Sequence, residues 1–499
     1  MNDYPEVDAT ELAARVHRRD VSPLELTELA IRAIEQVNPK LNAVVYRMYD
    51  VAAAAAREGL PKGPFHGVPM VLKDYNGTLA GVPYTASSRF LEGFVPERDA
   101  EIMRRFRSSG VSFVARTNLP EFALLAATEP QWRGATRNPW SLEHTPGGSS
   151  GGSAALVAAR AVPVGHGGDG GGSLRIPASH CGLVGLKPTR GRVPLGPNQG
   201  EGWGGYVQWG VLTRTVRDTA GFLDVLAGPM AGDPYAAPPV PRPFRDEVTR
   251  DPGQLRIAYT TRSLFGKTTD PACAAAVEKT VQALADEGHE VEEAHPSFDA
   301  SSMARSYVTQ IAVGTAANIE GWAKQLGRTP TPAHFEPGTW LLYQIGRAMS
   351  GLELQQARDH AMVAGRSFAA FHQVYDVLVT PTVAYPPMRV GELAMGFGQR
   401  VGLRVLRSAP VPQVLRRTLY RIADENLERT PNTQLFNQTG QPAISIPADP
   451  TEAGIPIGVQ LVGRFGDEAT LLKLAAQLEQ LRPWRDRKPA VRAQFDAAK

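Results

Sequence analysis

The sequence predicts an α/β protein, with strands and helices along the whole chain. Three observations carry that reading. Short apolar runs of strand length recur, among them Val68–Leu72, Val111–Ala115 and Asp376-Val-Leu-Val-Thr380. Segments with apolar residues at helical spacing lie between them. The chain also ends in two patterned runs, Ala443-Ile-Ser-Ile446 and Ile457–Val462, which read as paired strands before a helix opened by Asp467.

The elements follow in order. Residues 9–37 read as two helices. The second starts at Ser22-Pro23, with proline where its missing N–H costs nothing, and Leu26, Leu29, Ala30, Ala33, Ile34 and Val37 form its apolar face. Residues 51–58 are an alanine-rich helix. Val68–Leu72 is a buried strand ending at Lys73. Residues 99–109 are helical with Ile102, Met103 and Phe106 inward, and Thr117-Asn-Leu-Pro-Glu-Phe122 is a loop. Ser153 is expected to cap a helix over Ala154–Arg160, and Val162-Pro-Val164 to be a short extended piece. Residues 229–253 hold many prolines without periodicity and read as a surface excursion. Arg256–Tyr259 and His289–Glu292 are strands around the helix Ala272–Asp286, and residues 301–375 are mostly helical. Residues 385–432 show no clear element, as a lid or binding loop would.

One stretch is unlike ordinary globular sequence. Thr145-Pro-Gly-Gly-Ser-Ser-Gly-Gly-Ser153 and Gly165-His-Gly-Gly-Asp-Gly-Gly-Gly-Ser-Leu-Arg-Ile-Pro177 are two glycine-rich loops, each offering a serine. Glycine loses the most entropy on folding, so such clusters suggest that the backbone itself approaches a ligand. Gly170, Gly171 and Gly172 can turn successive N–H groups toward one point beside Ser173. A hydroxyl beside converging donors suits acyl transfer, in which charge develops on a carbonyl oxygen.

These residues resemble the amidase signature family. The resemblance implies an α/β/α sandwich, a mixed central sheet covered by helices, over residues 1–499 as one domain, with a signature core at about 65–228. It is close over residues 9–228, returns at 376–382 and 433–480, and is weak between 290 and 375 and between 385 and 432. It implies a Ser–cis-Ser–Lys unit in which Ser173 is the nucleophile, Ser149 the bridging serine and Lys73 the base. The oxyanion hole falls on the N–H groups of Gly170, Gly171, Gly172 and Ser173, while Asp169 and Arg175 support the loop, and Lys187 is structural. A lysine is a base only when neutral, and burial at the end of an apolar strand favours that form.

Two details narrow the branch. Gly168 and Gly170 flank the aspartate where many members carry larger residues, and Ile176 stands where the tRNA-dependent amidotransferase subunit usually has glutamine. The motif is nearest to the branch of cyclic-dimer (nylon oligomer) hydrolases and enzymes cleaving anilides and urethanes. The implied activity is hydrolysis of a C–N acyl bond in a small or xenobiotic amide, anilide or carbamate. The alternative is a partner-dependent amidotransferase A-type subunit. Pocket residues are expected from 128–135, 200–210, 305–345 and 385–436, with Trp132, Trp203, Tyr206, Trp209 and Trp340 as aromatic candidates.

Other classes are excluded or discounted. A net charge of +3 with both signs interspersed gives no case for nucleic acid. Two cysteines, Cys181 and Cys273, make neither a disulfide framework nor a metal site. Gly147-Gly-Ser-Ser-Gly151 fits a nucleophile-elbow pattern, but no strand precedes it. Gly165–Gly170 fits a dinucleotide pattern, but no long helix follows. His166 and His180 lack ligand spacing and are expected to be packed or hydrogen-bonded. No signal segment and no membrane span is read, so a cytoplasmic monomer or homodimer without cofactor or metal is expected.

Overall fold

A computed structural model describes residues 1–75, 77–393, 414–415, 417–418, 421 and 428–495. Most of the segment expected to be a lid, 385–432, therefore lies outside the described residues. Among those described, eleven strands form one sheet. They are β1 (Val44–Arg47), β2 (Pro69–Lys73), β3 (Ser112–Thr117), β4 (Val164–Asp169), β5 (Val184–Lys187), β6 (Gln208–Thr213), β7 (Arg256–Tyr259), β8 (Glu290–Glu293), β9 (Val377–Pro381), β10 (Ala443–Pro447) and β11 (Gly458–Gly463).

The order is β1-β3-β2-β4-β6-β5-β10-β11-β9-β7-β8. Strands β3, β2 and β4 run parallel, as do β9, β7 and β8, and antiparallel pairs join the middle. The sheet is mixed, as expected. Strands from both sides of the proline-rich segment 229–253 share it, and Phe244 of that segment is buried in the main core.

The core lies between sheet and helices. Leu26 and Ile34 of the helix Pro23–Leu41 meet Val71, Val114 and Leu156 there. That helix opens with a reciprocal cap: the Ser22 hydroxyl accepts from the Glu25 N–H, and the Glu25 carboxylate accepts from the Ser22 N–H. The helix Gly151–Ala158 is buried on every side, which suits its run of glycine, alanine, leucine and valine.

Two local expectations are corrected. Gly165–Asp169 is not loop but β4, a central strand. Its glycines fit because neighbouring side chains rest on them: a Cβ would come within 2.5 Å of the Trp209 ring of β6 at Gly168, 2.6 Å of Leu174 at Gly167 and 2.9 Å of Ser153 at Gly165. Ser153 does not cap a helix. It sits inside Gly151–Ala158, and its hydroxyl donates to the His166 carbonyl at 2.8 Å. Ser150 occupies the capping position, and its hydroxyl makes no cap bond. The expected helical stretch 301–375 resolves into Ala300–Leu326, Pro337–Ala348 and Gly351–Val374.

Candidate active site

Lys73 is the last residue of β2, every residue of which is buried. Strand β4, beside it, ends at Asp169 and releases the chain into Gly170-Gly-Gly-Ser173, before the helix Arg175–Cys181. The loop carrying Ser149 precedes the buried helix Gly151–Ala158, and the Gly148–Ser149 peptide is cis. Three separate stretches of chain thus deliver Lys73, Ser149 and Ser173 to one cavity of about 400 Å³.

The Lys73 amine donates to Ser149 Oγ at 2.7 Å and to Ser150 Oγ at 3.1 Å. Burial lowers its pKa to about 7, against an opposing pull from Asp169. The neutral amine is therefore well populated near neutrality. Among the described residues no hydrogen bond joins the Ser173 hydroxyl to Ser149. The two loops meet instead through the Ser150 N–H, which donates to the Ser173 carbonyl at 3.3 Å.

Asp169 and Arg175 pair as expected, at 2.8 Å with both side chains fully buried. Burial alone would raise the Asp169 pKa. The adjoining Arg175 charge and hydrogen bonds, with help from Asn437 and Lys187, outweigh it and hold the carboxyl well below the usual range. The carboxylate also accepts the N–H groups of Gly172, at 2.7 Å, and Leu174, at 3.2 Å.

That bond corrects the oxyanion set. The Gly172 N–H is spent on Asp169. Among the described residues, the N–H groups of Gly170, Gly171 and Ser173 have no hydrogen-bond partner, so three of the four expected donors remain. Gly172 has φ +127°, a conformation that favours glycine.

The family described as Amidase matches residues 25–472. This chain belongs to the amidase family. It is 37% identical over 489 residues to the 6-aminohexanoate-cyclic-dimer hydrolase of Pseudomonas sp. (strain NK87), covering 97% of this chain and 96% of that protein. The solved structure of a 6-aminohexanoate cyclic dimer hydrolase complexed with substrate aligns with a TM-score of 0.90 at 35% identity, over 98% of this chain and 99% of that one. A bacterial aryl acylamidase of the amidase signature family aligns with a TM-score of 0.83 at 26% identity, over 97% of this chain and 99% of that one.

In this amidase, residues outside the signature complete the site. Thr433 Oγ1 donates to the Gly171 carbonyl at 2.7 Å. Asn437 donates to the Asp169 carbonyl at 2.8 Å and accepts from Arg175 at 2.6 Å. Arg175 also donates to Gln460 Oε1 at 2.7 Å. The sequence reading covers Thr433 only through the expected pocket range 385–436 and singles out neither Asn437 nor Gln460. The one signal was an amide-rich run, Asn432-Thr-Gln-Leu-Phe-Asn-Gln438. Ser150, at the capping position of the buried helix Gly151–Ala158, also touches Lys73.

Of the aromatic candidates, Trp203 and Trp209 line the cavity, joined by Tyr75, which was not anticipated. Trp340 packs instead against Phe335 and Tyr343, Tyr206 stacks on Tyr307, and Trp132 lies under Arg133. His166 sits between Phe106 and Trp209. Burial lowers its pKa, and that of His180, to about 3, so both rings are neutral. No cluster of metal-ligating side chains occurs among the described residues, and none of their helices is long and apolar enough to cross a membrane. Lys187 is buried and donates to the Pro188 carbonyl, a structural place.

Proposed function

We propose that this amidase works through an acyl-enzyme on Ser173, with Ser149 as relay and Lys73 as base, on a small amide, anilide or carbamate. The observation that carries the reading is the 2.7 Å contact between Lys73 Nζ and Ser149 Oγ, made by a buried lysine whose pKa is near 7, in the cavity that holds Ser173.

Substrate enters with its carbonyl oxygen toward the free N–H groups of Gly170, Gly171 and Ser173. The Ser173 hydroxyl turns toward Ser149, a tightening that such sites commonly make on binding. Neutral Lys73 takes the Ser149 proton as Ser149 takes that of Ser173. The Ser173 oxygen bonds to the carbonyl carbon, and the oxyanion is held by the N–H donors. The C–N bond then breaks, and the proton returns through Ser149 to the leaving nitrogen. Water, deprotonated by the same relay, attacks the ester and releases the acid. A carbamate cleaved at its C–N bond gives an alkoxycarbonyl-enzyme by the same steps, and water releases it as a carbonic half-ester that loses carbon dioxide.

The relatives' names support the range of substrates: one cleaves a cyclic amide dimer and another an aryl amide. The glycines flanking Asp169 leave no open space there: the Trp209 ring rests on Gly168 and the Trp203 ring on Gly170. The test is a hydrolysis panel on the purified chain alone, with Ser173→Ala as control. It contains a linear amide, a cyclic amide dimer, an aryl anilide, an aryl carbamate and a p-nitrophenyl ester. Turnover lost in the control is expected. No turnover of any substrate, or full activity in Ser173→Ala, overturns the reading.

A further inference from the structure

Trp203 stands in an unusual place. Its backbone has φ +50°, in the left-handed region that non-glycine residues rarely adopt, inside the run Gly202-Trp-Gly-Gly205. Its indole lines the catalytic cavity. One edge of the ring rests on Gly170, an oxyanion-loop residue: a Cβ there would lie 2.6 Å from Trp203 Cζ3. The other edge rests on Gly314 of the helix Ala300–Leu326, where a Cβ would lie 2.4 Å from Cδ1. The indole thus bridges the residue that faces the scissile carbonyl and the opposite wall, and each contact has room only for glycine.

The loop is held from behind. Glu201 accepts from Arg358 at 3.2 Å and from Tyr235 at 2.9 Å. Arg358 also donates to Gln310 at 3.2 Å, and Gln310 lies one turn before Gly314. Arg190 and Gln208 donate to the Gly205 carbonyl at 2.9 and 3.2 Å. A ring seated on glycines at both edges and tethered through its loop has little freedom to swing aside.

We propose that Trp203 is a specificity-determining residue, the wall that limits the bulk of groups attached to the scissile carbonyl, and that Gly314 is its seat. The favoured substrates carry narrow, unbranched or flat groups beside that carbonyl, and α-branched groups are rejected by the indole. The inference rests on the acyl-enzyme reading, because it places the carbonyl between Ser173 and Gly170.

The test uses the full chain and two anilide series, one varied from linear to α-branched in the acyl group and one in the amine. Wild type should favour linear over branched members by about ten-fold or more in kcat/KM, the discrimination that one or two methylenes can supply. Trp203→Ala should remove most of that preference in at least one series, and Trp203→Phe should fall between. Gly314→Ala should lower turnover of linear substrates about ten-fold by displacing the ring, and should cost little in the Trp203→Ala background, where there is no ring to displace. If Gly314→Ala does not fold, the two Trp203 variants decide alone. An unchanged linear-to-branched ratio in Trp203→Ala, in both series, overturns the proposal. The Ser173→Ala control separates the failures: activity there sinks the acyl-enzyme itself, whereas an inactive control with an unchanged ratio sinks only the role of Trp203.

Discussion

The Thr433 hydroxyl donates to the carbonyl oxygen of Gly171 at 2.7 Å, although 262 positions separate the two in the chain. The next N–H, that of Gly172, donates to Asp169. The peptide plane between Gly171 and Gly172 is therefore held at both ends. Holding it aims the neighbouring N–H groups, since the backbone has only two soft torsions per residue.

Thr433→Val keeps the shape and removes that donor. We expect kcat to fall by about ten-fold with KM nearly unchanged, because the loss falls on oxyanion stabilisation rather than on binding. Steady-state kinetics on one anilide checks it. An effect on KM alone would count against the role.

As the proposed base, Lys73 should set a pH limb. Its pKa is lowered to about 7 by burial, and only the neutral amine is a base. In the free enzyme kcat/KM should rise with pH to a plateau, with a midpoint near 7, and fall about ten-fold per unit well below it. A limb absent between pH 5 and 8 would remove Lys73 from the base role.

The same shift acts on stability. Unfolding returns Lys73 from about 7 toward 10.5, so between those values the unfolded chain binds more protons. Stability contributed at this site therefore rises with pH across the window, by roughly 1.4 kcal/mol per unit at most. Lys73→Met removes the titration. The stability of wild type relative to this variant should grow from pH 7 to pH 9 in denaturant unfolding, while activity in the variant is abolished.

Ser149 and Ser150 both touch Lys73, but only Ser149 lines the catalytic cavity with Ser173. Ser149→Ala should lower kcat by about a thousand-fold, within the range for lost proton transfer. Ser150→Ala, which removes a bond at 3.1 Å that only orients the lysine, should cost about ten-fold. Equal losses in the two variants would show that both serines carry the proton.

Asp169 and Arg175 form a fully buried pair. Asp169→Asn leaves the guanidinium with its charge unpaired and should destabilise the chain by about 3–5 kcal/mol, read as a lowered denaturation midpoint. Activity should fall with it, because the Gly172 N–H loses a charged partner.

Much of this was legible in the chain. Lys73 at the end of an apolar strand, Ser149 and Ser173 in glycine loops, and the local Asp169–Arg175 pair are all carried by neighbours in sequence. The loops stand out because close backbone approach demands glycine wherever it occurs. Other features were not legible. The run Gly165–Asp169 reads as loop because glycine disfavours strands, and only the packing of Ser153, Leu174 and Trp209 on its glycines shows why it is a strand. Ser153 had the residue type of a cap, but a carbonyl of β4 claims its hydroxyl.

By itself the sequence determined the α/β class and the family, and it singled out the three residues proposed to carry the chemistry, since backbone demands and short-range spacing are local properties. Only the tertiary structure decided which N–H groups stay free, that Thr433 and Asn437 hold the loop, and that Trp203 is wedged between Gly170 and Gly314. Those contacts join distant positions through the order of strands in one sheet and the helices laid across it. No local pattern encodes such distances, because they are set by packing the whole chain.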